Sequence, residues 1–383
     1  MKPRNWALLI FACVVAVVVQ GGIGLWLISS NRPAQHREIF AAAQNDIRFD
    51  NVFNDVAVND IDEPILPEEI AEFRQQVAAP VKDLVLTAPV THENLSVFFI
   101  RGNETMPERK MMPLEVALAN GLATVHEGIS VDNHANVPLF IQGGDIIKGG
   151  SQDRTLPYDM VIPVAARRVP LPAFCVEQGR SGPRGSEIST SFQSSSEQLP
   201  TNRLHLAARK QHSQMHVWNS VRDLQTDLGR VVGDSVQSPI SHTSLQLTLE
   251  HPRVRESIDE TVRNLGTLPE ENDVIGAVFT VNGRVMRAET YGSNAMFREM
   301  YAKLLRANAI AALAEKRAGQ RAEAPNEEAV RTFLAAADQG NNVQRSRRSG
   351  TTQLRHETNG VVVFDTCEGQ VETTLVHRSY LAK

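Results

Sequence analysis

The chain has 383 residues, a formal net charge of −5 and 42% hydrophobic residues, the composition of a globular protein rather than a disordered or fibrous one. A mildly acidic balance argues against the basic domain that nucleic-acid binding requires, so no nucleic-acid partner is expected. Its three cysteines, Cys13, Cys175 and Cys367, are too few for a disulfide framework and lack zinc spacing; no metal and no cofactor is assigned.

Residues 6–28 are apolar and uncharged between Trp6 and Ile28. At 1.5 Å rise per residue this run can cross the roughly 30 Å hydrocarbon core. It is longer than a secretory h-region and lacks a good cleavage site, so it predicts a retained anchor preceded by a cytoplasmic stub. Lys2, Arg4 and the terminal amine form a denser basic group before the span, nearer to it as a group than Arg32 and Arg37 after it. That bias keeps the N-terminus cytoplasmic and predicts a single-pass protein of the cell membrane with an extracytoplasmic domain. Residues 29–82, rich in Asn, Asp, Glu and Pro, read as an acidic tether.

The soluble domain is expected over residues 83–383, with a β-rich lobe at 83–200 and a helical and α+β part at 201–383. Short β-branched and aromatic runs split by Gly, Pro, Asn and Asp predict a β-sandwich- or barrel-like lobe over about 84–180. Within it LEVALANG reads as a short helix closed by Gly121. Gly179 to Pro200 reads as a long Ser- and Gly-rich loop. Leu204, Ala208, Gln211, Met215 and Trp218 share a helical period, and Pro252 opens another helix. Asn282-Gly283 marks a hairpin, followed by a long Ala-rich helix over about 293–317. QRSRRSGTTQLRH reads as a basic linker to a second hairpin around Glu368-Gly369. The fold class is α+β, with the two hairpins and the long helix forming a two-layer unit on one sheet.

FIQGGDIIKGGSQDR, VIPVAARRVPLPAFCVEQGR, a helix ending MHVWNSV and VIGAVFTVNGRVMRAETYGS together resemble the bacterial ADP-ribosylglycohydrolase and rhodanese-phosphatase-superfamily-associated domain family. The resemblance runs from about Leu84 to Leu313, and the closing VHRSYL also fits. Gln142-Gly143-Gly144-Asp145 stands where the family commonly carries an acidic Asp-Gly-Glu-Glu type of turn. The resemblance implies a shared fold unit and, by association, ADP-ribosyl or phosphoester ligands.

Several motifs invite chemistry. The glycines around Gly144 to Ser151 approach a phosphate-binding loop, but the Lys is missing and a strand follows, so a glycine-rich hairpin is expected. Cys175 and Arg180 in CVEQGR suggest an anion-holding thiolate loop, although no helix follows and Glu177 disfavours the thiolate. Cys175 is therefore read first as a strand-end core cysteine. A Cys175–Cys367 disulfide is a further option in an oxidising compartment. His205, His212 and His216 fall on one helical arc without the general-base Glu of a zinc protease, and read as packing residues.

The best site candidate is a polar cluster. Gln152, Asp153, Arg154 and Arg180 are the ligand-binding residues, with Asp145, Cys175 and Glu177 the candidates for acid/base or nucleophilic roles. Arg154 and Arg180 offer forked donors to phosphate or carboxylate; a structural Arg–carboxylate network is the competing reading. No nucleophile, base and orienting group come together. The expected function is thus a membrane-anchored binding or accessory module for an anionic, ADP-ribose- or phosphate-like ligand or a protein partner. A hydrolase of ADP-ribosyl or phosphoester groups and an extracytoplasmic structural protein are the alternatives.

Overall fold

A computed structural model describes residues 63–64, 84–180, 182, 192–317, 323–337, 339, 342–348, 350–368 and 374–383. The expected membrane span and nearly all of the tether lie outside them. Among the described residues no helix is long and apolar enough to cross a membrane. The chain divides into Met1–Ala57 and Val58–Lys383, and every element below belongs to the second unit.

Four strands come first: β1 (Glu63–Pro64), β2 (Val85–Leu86), β3 (Val90–His92) and β4 (Leu95–Arg101). A lobe of short strands surrounds the six-residue helix α1 (Leu114–Ala119). It comprises β5 (Met112–Pro113), β6 (Ala123–His126), β7 (Ser130–Asn133), β8 (Leu139–Ile141) and β9 (Asp145–Gly149). It continues with β10 (Arg154–Thr155), β11 (Met160–Ile162), β12 (Val169–Pro170), β13 (Phe174–Cys175) and β14 (Phe192–Gln198). Helices α2 (Asn202–His205), α3 (Gln214–Val232), α4 (Leu245–Leu249) and α5 (Pro252–Leu265) follow, with a π-helical turn at Leu206–Lys210 between α2 and α3. The hairpin β15 (Val274–Val281) and β16 (Arg284–Tyr291) leads to α6 (Asn294–Ala314) and α7 (Glu327–Ala337). The chain closes with β17 (Asn342–Arg348), β18 (Thr351–Glu357), β19 (Val361–Glu368) and β20 (Thr374–Ala382).

The fold is α+β. One ten-stranded sheet runs β1-β17-β18-β19-β20-β16-β15-β4-β2, with β3 also on β4. As expected, both hairpins share it, joined where β16 pairs with β20. Alternation along the strands decides what covers each face. Val97, Phe99, Ala277 and Phe279 turn to one side, where Phe297, Tyr301, Leu304 and Val221 of the helices pack. Phe98, Ile100, Val278, Val363 and Tyr380 turn to the other, under Val330 and Leu334 of α7. Covered on both faces, β15 is buried throughout. The expected two-layer unit therefore has three layers.

The lobe contains three small sheets, β13-β10-β9-β14, β11-β8-β5 and β12-β7-β6, around their own apolar core. None closes into a barrel. The expected loop at 179–200 ends in a strand, because β14 adds to the edge of β9 through Phe192, Gln193 and Ser194. The expected basic linker is itself a hairpin: β17 and β18 pair from Asn342–Glu357 to Arg348–Thr351, turning at Gly350 with φ +81°.

Candidate functional site

The sequence-predicted cluster divides into two places. Arg180 extends over the strand ends β10 and β13. Its Nε donates to Glu177 Oε2 (2.6 Å), Nη2 to Asp153 Oδ1 (3.3 Å), and Nη1 to the carbonyls of Gly150 (3.2 Å) and Gly182. Glu177 and Asp153 are fully buried, and Asp153 Oδ1 also accepts from Gly149 N–H. With every arm of the guanidinium bonded to protein, this is the geometry of an internal ion-pair knot. Gln152 is half-buried in the turn just before it.

Arg154 points to Cys175, its Nη1 lying 3.1 Å from Sγ, while Gln214 clamps the Cys175 backbone through both N–H and C=O. Burial pushes the Cys175 thiol up; Arg154 opposes this and Glu177 adds to it. Both Cys175 and Cys367 are free thiols, so the optional disulfide is not formed. Asp145 sits at the far end of β9. There its Oδ2 accepts from Gln142 N–H (3.0 Å) and its Oδ1 from Lys303 Nζ (3.1 Å).

The three histidines do not share a helix. The π-helical turn, closed by Gln211 N–H to Leu206 O at 2.8 Å, ends at His212, which adopts the left-handed φ of +48°. A new cap at Ser213 then starts α3. His205 is buried, His212 and His216 are exposed, and Gln211 and Met215 fall outside the packed face. A π-helical turn and a non-glycine residue at positive φ are both costly and concentrate at functional sites.

That turn carries Arg209 into a buried charge chain that the sequence reading did not find. Asp159 Oδ1 accepts from Gly143 N–H (2.6 Å) and Arg209 Nη2 (3.2 Å); its Oδ2 accepts from Thr366 Oγ1 and His377 Nδ1 (both 2.7 Å). His377 Nε2 donates to Glu289 Oε2 (2.8 Å), and Glu289 Oε1 accepts from Ser379 Oγ (3.0 Å) and from Arg287. Burial opposes ionisation of His377, but the Asp159 and Glu289 carboxylates outweigh it and raise its pKa to about 9. Burial likewise opposes the Asp159 carboxylate, yet His377 and Arg209 hold it well below its usual range. The chain ties the lobe (Gly143, Asp159), the π-helical turn (Arg209) and the great sheet (Glu289, Thr366, His377) together. Gly143 and Gly144 make room for it. A Cβ at Gly143 would stand 2.6 Å from Arg209 Nε, and one at Gly144 would stand 2.3 Å from the His205 ring.

Above Arg209 the hairpin β17–β18 leaves a cleft of about 280 Å³. Arg209 and Phe364 form its floor, Lys210, Arg348 and Arg355 its cationic lining, and Gln344, Ser346 and Gln353 add neutral donors; Arg345 also borders it, but the register pairs it with Leu354 on the opposite face of the hairpin. No carboxylate is among the described residues that line it. Tyr158 and His212 stand at one side, stacked at 5.4 Å with the Tyr158 hydroxyl 2.9 Å from His212 Nδ1. The Arg348 guanidinium lies 3.7 Å from the Tyr158 ring centre, and Arg209 lies 4.2 Å from that of Phe364. Lys210 bonds Glu357 (2.5 Å). Arg355 meets only neutral acceptors among the described residues, Lys210 O (3.1 Å) and Gln344 Oε1. Its charge is therefore left for the cleft. The signal for this site was the alternating Arg-Ser-Arg-Arg and Gln-Leu-Arg run, which the linker reading passed over.

No curated protein and no solved structure matches the chain. Residues 83–381, which hold every residue of the cleft and of the charge chain behind it, match one family along their whole length. The chain belongs to the family defined by the ARG and Rhodanese-Phosphatase-superfamily-associated Protein domain.

Proposed function

We propose that this chain is a membrane-anchored accessory module that binds an anionic ligand in the cleft between β17–β18 and the π-helical turn. One observation carries the reading: Lys210, Arg348 and Arg355 line a concave space together with neutral donors, Arg355 meets neutral acceptors there, and no carboxylate is among the described lining residues. Such a surface focuses positive potential, which draws anions in, and offers forked donors to oxyanions. The Arg180 knot is the weaker candidate, because its guanidinium lies between two buried carboxylates and its side chain is only 7% exposed. Binding is favoured over hydrolysis because Glu177 and Asp145, the expected acid/base groups, are 0% and 4% exposed. A buried carboxylate without access to the ligand cannot exchange protons with it. The family's association with ADP-ribosylglycohydrolase and rhodanese-phosphatase proteins supports an accessory role beside phosphate chemistry.

The anchor and an extracytoplasmic domain belong to the same proposal, supported by the uncharged run at residues 6–28 and the basic residues before it. Titration of the full-length protein in detergent with inorganic pyrophosphate tests the site. Binding is expected, and it should weaken about tenfold in Arg355→Gln, the loss of one charge-assisted contact. Equal affinity in wild type and variant would remove the cleft from the account. A phosphatase reporter fused after Lys383 tests the orientation. Activity confined to the cytoplasm would reverse it.

A further inference from the structure

The short strand β1 lies along the edge of the cleft. It pairs antiparallel with β17, Glu63 opposite Arg345 and Pro64 opposite Gln344. Directly opposed residues share one face of a sheet, and successive residues alternate between faces. Gln344, Ser346 and Arg348 line the cleft, so Pro64 belongs to the cleft face, and Glu63, with Arg345, to the other. Residues 58–62, outside the described ones, read Val-Asn-Asp-Ile-Asp, and both aspartates fall at even steps from Pro64.

We infer that residues 58–62 prolong β1 along β17 as an autoinhibitory strap, with Asp60 and Asp62 set on the anion-binding face of the hairpin. Carried back in the same register, Asp62 comes opposite Ser346 and Asp60 opposite Arg348, while Ile61 turns away beside Arg347. Cross-strand neighbours on one face stand about 4.5–5.5 Å apart at Cβ, close enough for an opposite-charge pair. The strap has room to end where the hairpin does, because beyond Asn59 the partner strand turns at Gly350. The described lining supplies cations and neutral donors and no carboxylate, so the aspartates complement its charge. They also compete with an incoming anion, a role that rests on the cleft being the anion site. Apparent anion affinity then scales with the fraction of molecules whose strap has lifted.

Two measurements on the full-length protein in detergent test the strap. Under mild oxidation, Asp62→Cys with Ser346→Cys should form an intramolecular disulfide, because the two positions face each other within its reach. Ile61→Cys with Ser346→Cys, on opposite faces, should stay reduced. In calorimetric titration, Asp60→Asn with Asp62→Asn should bind inorganic pyrophosphate about tenfold more tightly than wild type. No disulfide in the first pair, or equal disulfide in both pairs, would overturn the strap and leave the cleft reading standing on Arg355. The selective disulfide with pyrophosphate affinity unchanged by the aspartate substitutions would overturn the autoinhibition. No pyrophosphate binding in wild type or in the aspartate variant would overturn the cleft reading and the strap's role with it.

Discussion

Two arginine clusters lie in this domain, and they do opposite things. Arg180 is 7% exposed along its side chain, and its partners Glu177, Asp153 and Gly150 all come from the thirty residues before it. Its charge is neutralised inside the protein. The cleft draws on Tyr158, the π-helical turn and a hairpin near the C-terminus, and among the described residues Arg355 within it meets only neutral acceptors. A buried guanidinium between two carboxylates braces a fold, and removing one partner leaves an uncompensated charge. A guanidinium on a concave surface with neutral neighbours keeps its charge for whatever enters. Proximity of Arg and Asp in sequence thus identified a brace, while the binding surface is assembled from segments far apart.

The largest expected effect concerns the chain behind the cleft. Asp159→Asn would leave Arg209 and His377 without their shared carboxylate, and should cost about 3–5 kcal/mol, read as a lowered unfolding midpoint in urea. A change below about 1 kcal/mol would show that these charges do not hold the lobe to the sheet. Next comes pH. His377 has its pKa raised to about 9, so the stability it contributes is complete below the unfolded value of about 6.5 and is lost as pH rises to about 9. Asp159 and Glu289 face it and stay ionised across that window, both held below their usual range. Unfolding free energy should therefore drop by about 3 kcal/mol from pH 6 to pH 10, and His377→Gln should flatten that slope. Gly143→Ala, whose Cβ would press on Arg209 Nε, should cost about 1–3 kcal/mol by displacing the floor of the cleft, measured by thermal unfolding. At the small end, Arg355→Gln should alter stability by no more than about 0.5 kcal/mol, because among the described residues its half-buried side chain meets only neutral acceptors. A large loss there would make the cleft arginines a second brace.

Much of the fold could be read from the chain. The Asn282-Gly283 turn, the Pro252 start of α5 and the pairing of both hairpins in one sheet follow from local rules that the structure obeys. What could not be read follows from tertiary pairing. Phe192–Gln198 is too rich in Ser and Gln to show a strand period, and becomes one only because β9 offers an open edge. The β17 run of Arg and Ser lacks apolar alternation, yet pairs with β18 through the backbone. The helix at 202–232 breaks at a π-helical turn whose cause lies elsewhere: Arg209 is drawn to Asp159, and no periodicity in the sequence records that. Gln152, Asp153, Arg154, Glu177 and Arg180 were legible because β10 and β13 pair directly, placing Arg154 opposite Cys175. Asp145 belongs to the other end of the same lobe, against Lys303 of α6.

The contrast between brace and cleft is tested most directly by measuring pyrophosphate affinity and unfolding free energy together in wild type, Arg180→Met and Arg355→Gln. Arg180→Met should lose about 3 kcal/mol of stability and, wherever it is folded, bind pyrophosphate like wild type. Arg355→Gln should keep its stability and bind about tenfold more weakly. The reverse pattern, with affinity following Arg180 and stability following Arg355, would contradict the account and return the binding site to the strand ends around Asp153.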